Sequence, residues 1–164
     1  VELISILIKN NYEVILRPHI ESLKRNKNEI IKIQNTFKET KNFRIEKGNF
    51  SLDSISQCNY LITDWSGISI EFAFALEKPV IFINTPKKIM NTKFNDLSII
   101  PLEENIRNKI GISIDISNIS TVLERIKELN DNEEFLVKEI ISQRNQYLFN
   151  FKKSVQYVYD YLNK

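Results

Sequence analysis

A doubly wound α/β domain built on a parallel sheet is the fold this sequence predicts, and two observations predict it. The run Asn59–Thr63 is uninterrupted and apolar at its centre, Pro79–Ile83 is continuous and apolar, and each lies beside a helical pattern. Strands of that kind belong to a parallel sheet covered on both faces, because a strand with one wet face alternates apolar and polar residues instead. Strand and helix also alternate along the chain at the spacing of successive βαβ units. With 164 residues the chain can bury one ordinary core but not two sizeable ones, so residues 1–164 read as a single domain.

The elements follow in order. Val1, Leu3, Ile4, Leu7 and Ile8 recur at helical spacing, which predicts a short amphipathic helix over Glu2–Asn10. Tyr12–Leu16 is a β-branched and aromatic run, read as the first strand, with Arg17-Pro18-His19 at its carboxyl end. Ser22–Thr40 predicts one longer helix with Leu23, Ile30, Ile31, Ile33, Gln34 and Phe37 near its inward stripe. Asn42–Glu46 is a second strand, and Gly48-Asn49 breaks the pattern before a short helix that Ser51 or Asp53 can cap. Asn59–Thr63 is the third strand, Ser66–Leu76 an apolar helix buried on more than one side, and Pro79–Ile83 the fourth strand. Asn84–Leu102 reads as loop. Ile112–Ile116 is a further strand, and Ser117 or Asn118 caps a helix at Ile119–Leu129. Another helix runs from Asp131 to about Gln143. A closing helix at Asn150–Leu162 carries Phe151, Val155, Val158, Tyr159 and Leu162 on one stripe.

Composition removes several classes of function. The balance of 42% hydrophobic and 27% charged residues, with three Gly and four Pro, is that of an ordinary folded chain and excludes low complexity. The net charge is +2, and the basic residues between 24 and 32 are interleaved with Glu29 as on a solvated helix face. That pattern makes no case for a nucleic-acid partner. It is compatible with an anionic substrate or a membrane surface. Cys58 is the single cysteine, which excludes an intrachain disulfide and a zinc site made of cysteine pairs and fits a reducing cytoplasm. No apolar run approaches the roughly 20 residues that span a bilayer, and no signal peptide is visible. The start at Val1, inside an element and without Met, reads as a piece of a longer protein.

Ligands of open α/β sheets bind beyond the carboxyl ends of the strands, and two loops at such ends carry chemistry. Pro18 restricts Arg17 to extended backbone, so the first loop aims a guanidinium and the chain's one imidazole, His19, from a strand tip. A guanidinium fork and an imidazole N–H both suit phosphate oxygens. The plainer reading is a surface loop. The second loop is Thr63-Asp64-Trp65-Ser66-Gly67, where Ser66 and Gly67 stand at a helix start that attracts phosphate through backbone amides and the helix dipole. The plainer reading is capping by Asp64 or Ser66. Glu71 is a lone carboxylate in an apolar helix, one turn past Gly67 and on its face. It can accept hydrogen bonds from ribose hydroxyls, or it is simply an exposed helix position. Asp64 alone makes no metal site, and nothing in the sequence requires a metal.

The stretches Tyr12–His19 (YEVILRPH) and Tyr60–Glu71 (YLITDWSGISIE), followed by FAFALEKPVIFI, resemble the carboxyl-terminal domain of the CDP-glycerol glycerophosphotransferases, the polymerases and primases of teichoic acid synthesis. The resemblance covers roughly Glu2 to Ile83. It implies a Rossmann-like sheet that is the carboxyl-terminal half of a GT-B architecture. It also implies a CDP-activated glycerol or polyol phosphate donor as substrate, with no further cofactor. By resemblance, Arg17, Pro18 and His19 line the pyrophosphate, with Arg17 and His19 acting in catalysis. Asp64 belongs to the turn beside it, Ser66 and Gly67 cradle phosphate, and Glu71 holds the ribose or glycerol end. The acceptor would be a cell-envelope polymer or lipid-linked hydroxyl. It would be engaged by an amino-terminal domain that supplies a second histidine as base, at the inner face of the bacterial membrane. The sequence departs from the family at Ile20, where a proline is usual, at Trp65-Ser66-Gly67, where tyrosine precedes two serines, and at Glu71, where aspartate is usual. Serine-glycine followed four residues later by glutamate also resembles UDP-sugar GT-B glycosyltransferases and nucleotide-sugar epimerases. A binding module that kept the fold without catalysis is a third reading.

Overall fold

The structure is a computed structural model that describes residues 1–47, 52–86 and 99–163. It is mixed α/β with small parallel sheets. Helix α1 (Glu2–Lys9) leads into β1 (Val14–Leu16), then α2 (Ile20–Arg25), α3 (Lys27–Phe37) and β2 (Phe43–Ile45). Next come α4 (Leu52–Ser56), β3 (Leu61–Thr63), α5 (Ile68–Leu76) and β4 (Val80–Asn84). The chain continues through α6 (Leu102–Asn105), β5 (Gly111–Asp115), a 3-10 turn (Ile116–Thr121), α7 (Val122–Asp131), α8 (Glu133–Tyr147) and α9 (Ser154–Leu162).

Backbone hydrogen bonds divide the strands into two parallel sheets, β1-β2 and β3-β4-β5. In the larger sheet Ile62 pairs with Ile81, and Ile81 with Ile112. The smaller one docks beside it: Tyr12 meets Tyr60 edge to face at 6.4 Å between ring centroids, at the amino ends of β1 and β3. Val14 packs with the residues beneath Ile81.

Strand β4 explains the uninterrupted apolar run. Val80, Ile81 and Phe82 are at most 1% exposed. Successive strand residues point to opposite faces, so Val80 and Phe82 join Phe72, Ala73 and Phe74 of α5, together with Ile140 of α8. Ile81 and Ile83 join Leu7 of α1 and Val122, Ile126 and Leu129 of α7 on the other face. Helices therefore cover both faces of the three-stranded sheet. Burial of each such large apolar side chain contributes about 1.5–3 kcal/mol.

Several sequence expectations are corrected. The single helix over 22–40 is two helices broken at Asn26, whose φ of −118° and ψ of 37° leave the helical region. Of its expected stripe only Ile30 and Phe37 are buried, and Ile31 is exposed. The helix expected from Ile119 starts instead with the 3-10 turn, and α7 has no side-chain cap from Ser117 or Asn118. Helix α6 lies next to a stretch read only as loop. Gly48, Asn49, Ser51 and most of the loop after Asn84 lie outside the described residues. The closing helix exists as α9 but closes nothing: all nine of its residues are exposed, with Val155 at 86% and Leu162 at 74%. Among the described residues no helix is long and apolar enough to cross a membrane.

Gly111 of β5 pairs with Val80 of β4. A Cβ at this position would lie 1.9 Å from the Val80 carbonyl oxygen and 2.9 Å from its amide nitrogen, both backbone atoms that cannot rotate aside. Gly111→Ala is therefore expected to destabilise the fold by more than about 3 kcal/mol in a urea titration. Truncation after Lys153 removes α9, whose flanking and helical residues 154–163, as described, are all exposed. It is expected to leave the same midpoint within about 0.5 kcal/mol.

Candidate functional site

The carboxyl ends of β3, β4 and β5 share one edge, because parallel strands joined through helical crossovers all run the same way. At the tip of β3 the chain turns through Asp64 and Trp65 and enters α5 with Gly67 as its N-cap. Neither Asp64 nor Ser66 caps the helix with a side chain. The Ser66 carbonyl instead accepts the Ser69 amide at 3.1 Å and the Ser69 hydroxyl at 2.8 Å. Ser69 is buried and fixes the first turn from inside. The α5 start thus keeps its dipole and lacks a side-chain capping oxygen, while its Ser69 and Ile70 amides are taken by the Ser66 and Gly67 carbonyls.

Gly67 has a φ of −58°, an ordinary helical value, and a Cβ built there would meet no atom within 4 Å among the described residues. The fold itself does not demand glycine at this position. Gly67, Glu71 and Ala75 are all exposed, while Ser69, Phe72, Ala73 and Phe74 are buried. Glu71 therefore lies on the same outward stripe as Gly67, one turn on, and its carboxylate carries no cost of burial.

The tip of β3 is held by a residue that sequence reasoning did not single out. Arg107 stands in the turn between Ile106 and Ile110, both fully buried, and is itself 5% exposed. Its guanidinium donates to the Asp64 carbonyl (2.9 Å), the Ile83 carbonyl (3.2 Å) and the Asn84 side-chain oxygen (3.1 Å). The same group lies over the Trp65 ring at 4.0 Å and the Phe82 ring at 4.2 Å. The Trp65 indole N–H donates to the Thr85 carbonyl at 2.8 Å. Asn84 in turn donates to Asp115 at 2.7 Å. Burial pulls the Arg107 guanidinium below its ordinary range, and the Asp64 charge only opposes that shift. Even so, an arginine stays charged.

Arg17, Pro18 and His19 follow β1, on the other parallel pair. The Arg17 Nε pairs with Glu46 at 3.4 Å, and Glu46 also accepts the Ser54 hydroxyl at 2.8 Å. Arg17 is accordingly drawn toward the junction of β1, β2 and α4. His19 is exposed and caps α2, its Nδ1 accepting the Glu21 amide at 3.2 Å. A nitrogen that accepts there carries no proton, which leaves Nε2 as the N–H donor of the neutral ring. The structure thus gathers Asp64, Ser66, Gly67 and Glu71 on one loop and one helix face. Arg17 and His19 find their partners on the neighbouring pair and its helices. Among the described residues no group of three or more His, Cys, Asp or Glu side chains is arranged to hold a metal ion.

Cys58 is half-buried near this junction, and its thiol donates to the Ser54 carbonyl at 3.2 Å. Burial pushes the thiol pKa up, more than Arg44 and Lys78 pull it down. The thiolate is the reactive form, so iodoacetamide is expected to alkylate Cys58 more slowly than free cysteine, with a pH midpoint above the ordinary thiol value. A raised acid pKa favours the fold below the ordinary value and withdraws that contribution as pH rises through the folded one. Alkaline titrations of wild type are therefore expected to lose stability that Cys58→Ala retains. In comparisons with known proteins, no family model, no curated protein and no solved structure matches this chain.

Proposed function

We propose that this chain is the donor-binding domain of a transferase like the CDP-glycerol glycerophosphotransferases, a Rossmann-like half of a GT-B architecture. The observation that carries this reading is the start of α5. It is a helix N-terminus at the carboxyl end of a parallel strand, with no side-chain cap and, among the described residues, open space over Gly67. Such a terminus suits a diphosphate, which takes backbone amides and the positive end of the dipole together. The glycine that the fold does not need is then explained by the close approach of a ligand. The exposed Glu71 one turn on is within the stripe that a ribose or glycerol hydroxyl would cross.

In this reading the acceptor oxygen attacks the phosphorus that bears glycerol. The bond from that phosphorus to the cytidylate oxygen breaks, and CMP leaves with the electron pair. Charge develops on the bridging oxygen and on the phosphoryl oxygens. The α5 amides would take it up as preorganised donors, joined by the His19 Nε2–H and by Arg17 once the anion replaces Glu46 as its partner. His19 is the chain's one histidine, and it serves here as a donor. The base for the acceptor hydroxyl would come from another domain, and a bacterial cell-envelope polymer is the acceptor class the resemblance implies.

Calorimetric titration of the chain with CDP-glycerol, CDP and UDP tests the reading. CDP-glycerol and CDP are expected to bind, and Gly67→Ala to weaken both by about tenfold at a fold cost under about 1 kcal/mol. Preference for UDP would move the assignment to the UDP-sugar transferases and epimerases. Absence of binding by any of the three nucleotides would overturn the donor-site reading and leave a non-catalytic module.

A further inference from the structure

We infer that Arg107 is the positioning residue of this edge, a group that touches no donor nucleotide itself but sets where the α5 amides point. The inference rests on the reading of the α5 start as the diphosphate site and deepens it. Three observations carry it. Arg107 is 5% exposed, so it is built into the molecule and does not reach out to a ligand. Its two terminal nitrogens are spent on the Asp64 and Ile83 carbonyls and the Asn84 amide oxygen, which are the last groups of β3 and β4 and their loops. Its guanidinium lies over two rings, that of Trp65 in the turn and that of Phe82 in the strand.

These contacts fix the turn in three ways. The bond to the Asp64 carbonyl sets the peptide plane just before Trp65. The stacking sets the indole ring, whose N–H is tied to Thr85 at 2.8 Å. Asn84 extends the hold to β5 through Asp115. Between Trp65 and α5 only Ser66 and Gly67 remain, so clamping the turn on one side and burying Ser69 on the other leaves the intervening amides little freedom. Preorganisation of this kind raises affinity because the ligand need not order the loop.

No lysine could do the same. An ammonium has no planar face to lay over two rings, and its three donors diverge from one atom. The Asp64 charge acts on Arg107, but no carboxylate forms an ion pair with it within 4 Å among the described residues.

Trp65 is the only tryptophan in the sequence, so its emission reports this turn alone. The experiment compares wild type, Arg107→Met and Arg107→Lys by acrylamide quenching of Trp65 and by CDP titration of the folded protein. In both variants quenching is expected to rise about twofold and CDP affinity to fall at least about tenfold, with Lys recovering little despite its charge. A role in stability alone would lower the melting temperature and leave both quantities unchanged for the folded fraction. A folded Arg107→Lys or Arg107→Met protein with wild-type quenching and wild-type affinity overturns the inference. The wild-type chain supplies a check that needs no variant: its indole N–H resonance is expected to resist solvent exchange and to shift with CDP. An indole signal that exchanges freely and ignores saturating CDP overturns the inference however the variants fold. Raised quenching in the variants, with no CDP binding by wild type, sinks the nucleotide reading and leaves the clamp standing.

Discussion

The burial of Val80, Ile81 and Phe82 in β4 is the constraint from which the rest follows. A strand with Val80, Ile81 and Phe82 at most 1% exposed needs a helical layer on each face and a hydrogen-bonded neighbour on each edge. Parallel neighbours satisfy both needs, because each crossover lays a helix across a face. Their carboxyl ends then fall along one edge, and the loops after β3, β4 and β5 meet there. The closeness of this packing is visible at Gly111, where the backbone of β4 occupies the space a side chain would take. Phe82 belongs to both parts of the molecule. It is a core residue beneath α5, and its ring is the floor on which Arg107 lies at 4.2 Å.

Two buried arginines show how the fold treats charge. Arg144, 7% exposed, pairs with Glu77 at 2.8 Å and donates to the Phe74 carbonyl at the end of α5. Its charge is met where it stands, at the negative end of the helix. Arg107 is as deeply buried but is held by neutral oxygens and two aromatic faces. Burying a cation costs several kcal/mol unless hydrogen bonds and neighbouring charge offset it. A guanidinium tolerates such a place better than an ammonium because its charge is delocalised and weakly hydrated. The two ends of α5 therefore differ: its carboxyl end meets the Arg144–Glu77 pair, while its amino end stands beside a cation on which Asp64 acts without an ion pair within 4 Å among the described residues.

The parts of the fold that were legible in the sequence are those where burial imposes a period. The uninterrupted runs at β3 and β4 and the apolar α5 came through for that reason. Helices α2 and α3 read as one because Asn26 between them, and Lys27 and Asn28 that open α3, carry no apolar side chain whose placement could reveal the break. Helix α9 shows the converse: a clean apolar stripe says that a face wants covering, and the described residues leave it exposed. At the site, Ser66, Gly67 and Glu71 were legible because helix phase is local. Arg107 was not, since its partners Asp64 and Asn84 are 43 and 23 residues away and nothing near it in sequence marks it as buried. The ion pair of Arg17 with Glu46 escaped for the same reason.

The two strand tips differ in readiness, and the difference has a physical cause. The α5 start is fixed by groups that a ligand would not disturb: the Arg107 clamp, the Ser69 hydroxyl and the packed face of Phe72 and Phe74. Arg17 is fixed by Glu46, a carboxylate that a diphosphate would have to match or displace. Glu46 is itself tied to Ser54 and lies 3.6 Å from Arg44, so a second cation is at hand to hold it when Arg17 turns toward an anion. Exchange of one anionic partner for another costs far less than recruiting a solvated arginine from water, because the side chain is already ordered and partly desolvated. In the proposed donor site the start of α5 would therefore be the standing part, and Arg17 would be a cation whose use depends on exchange of Glu46 for the arriving anion.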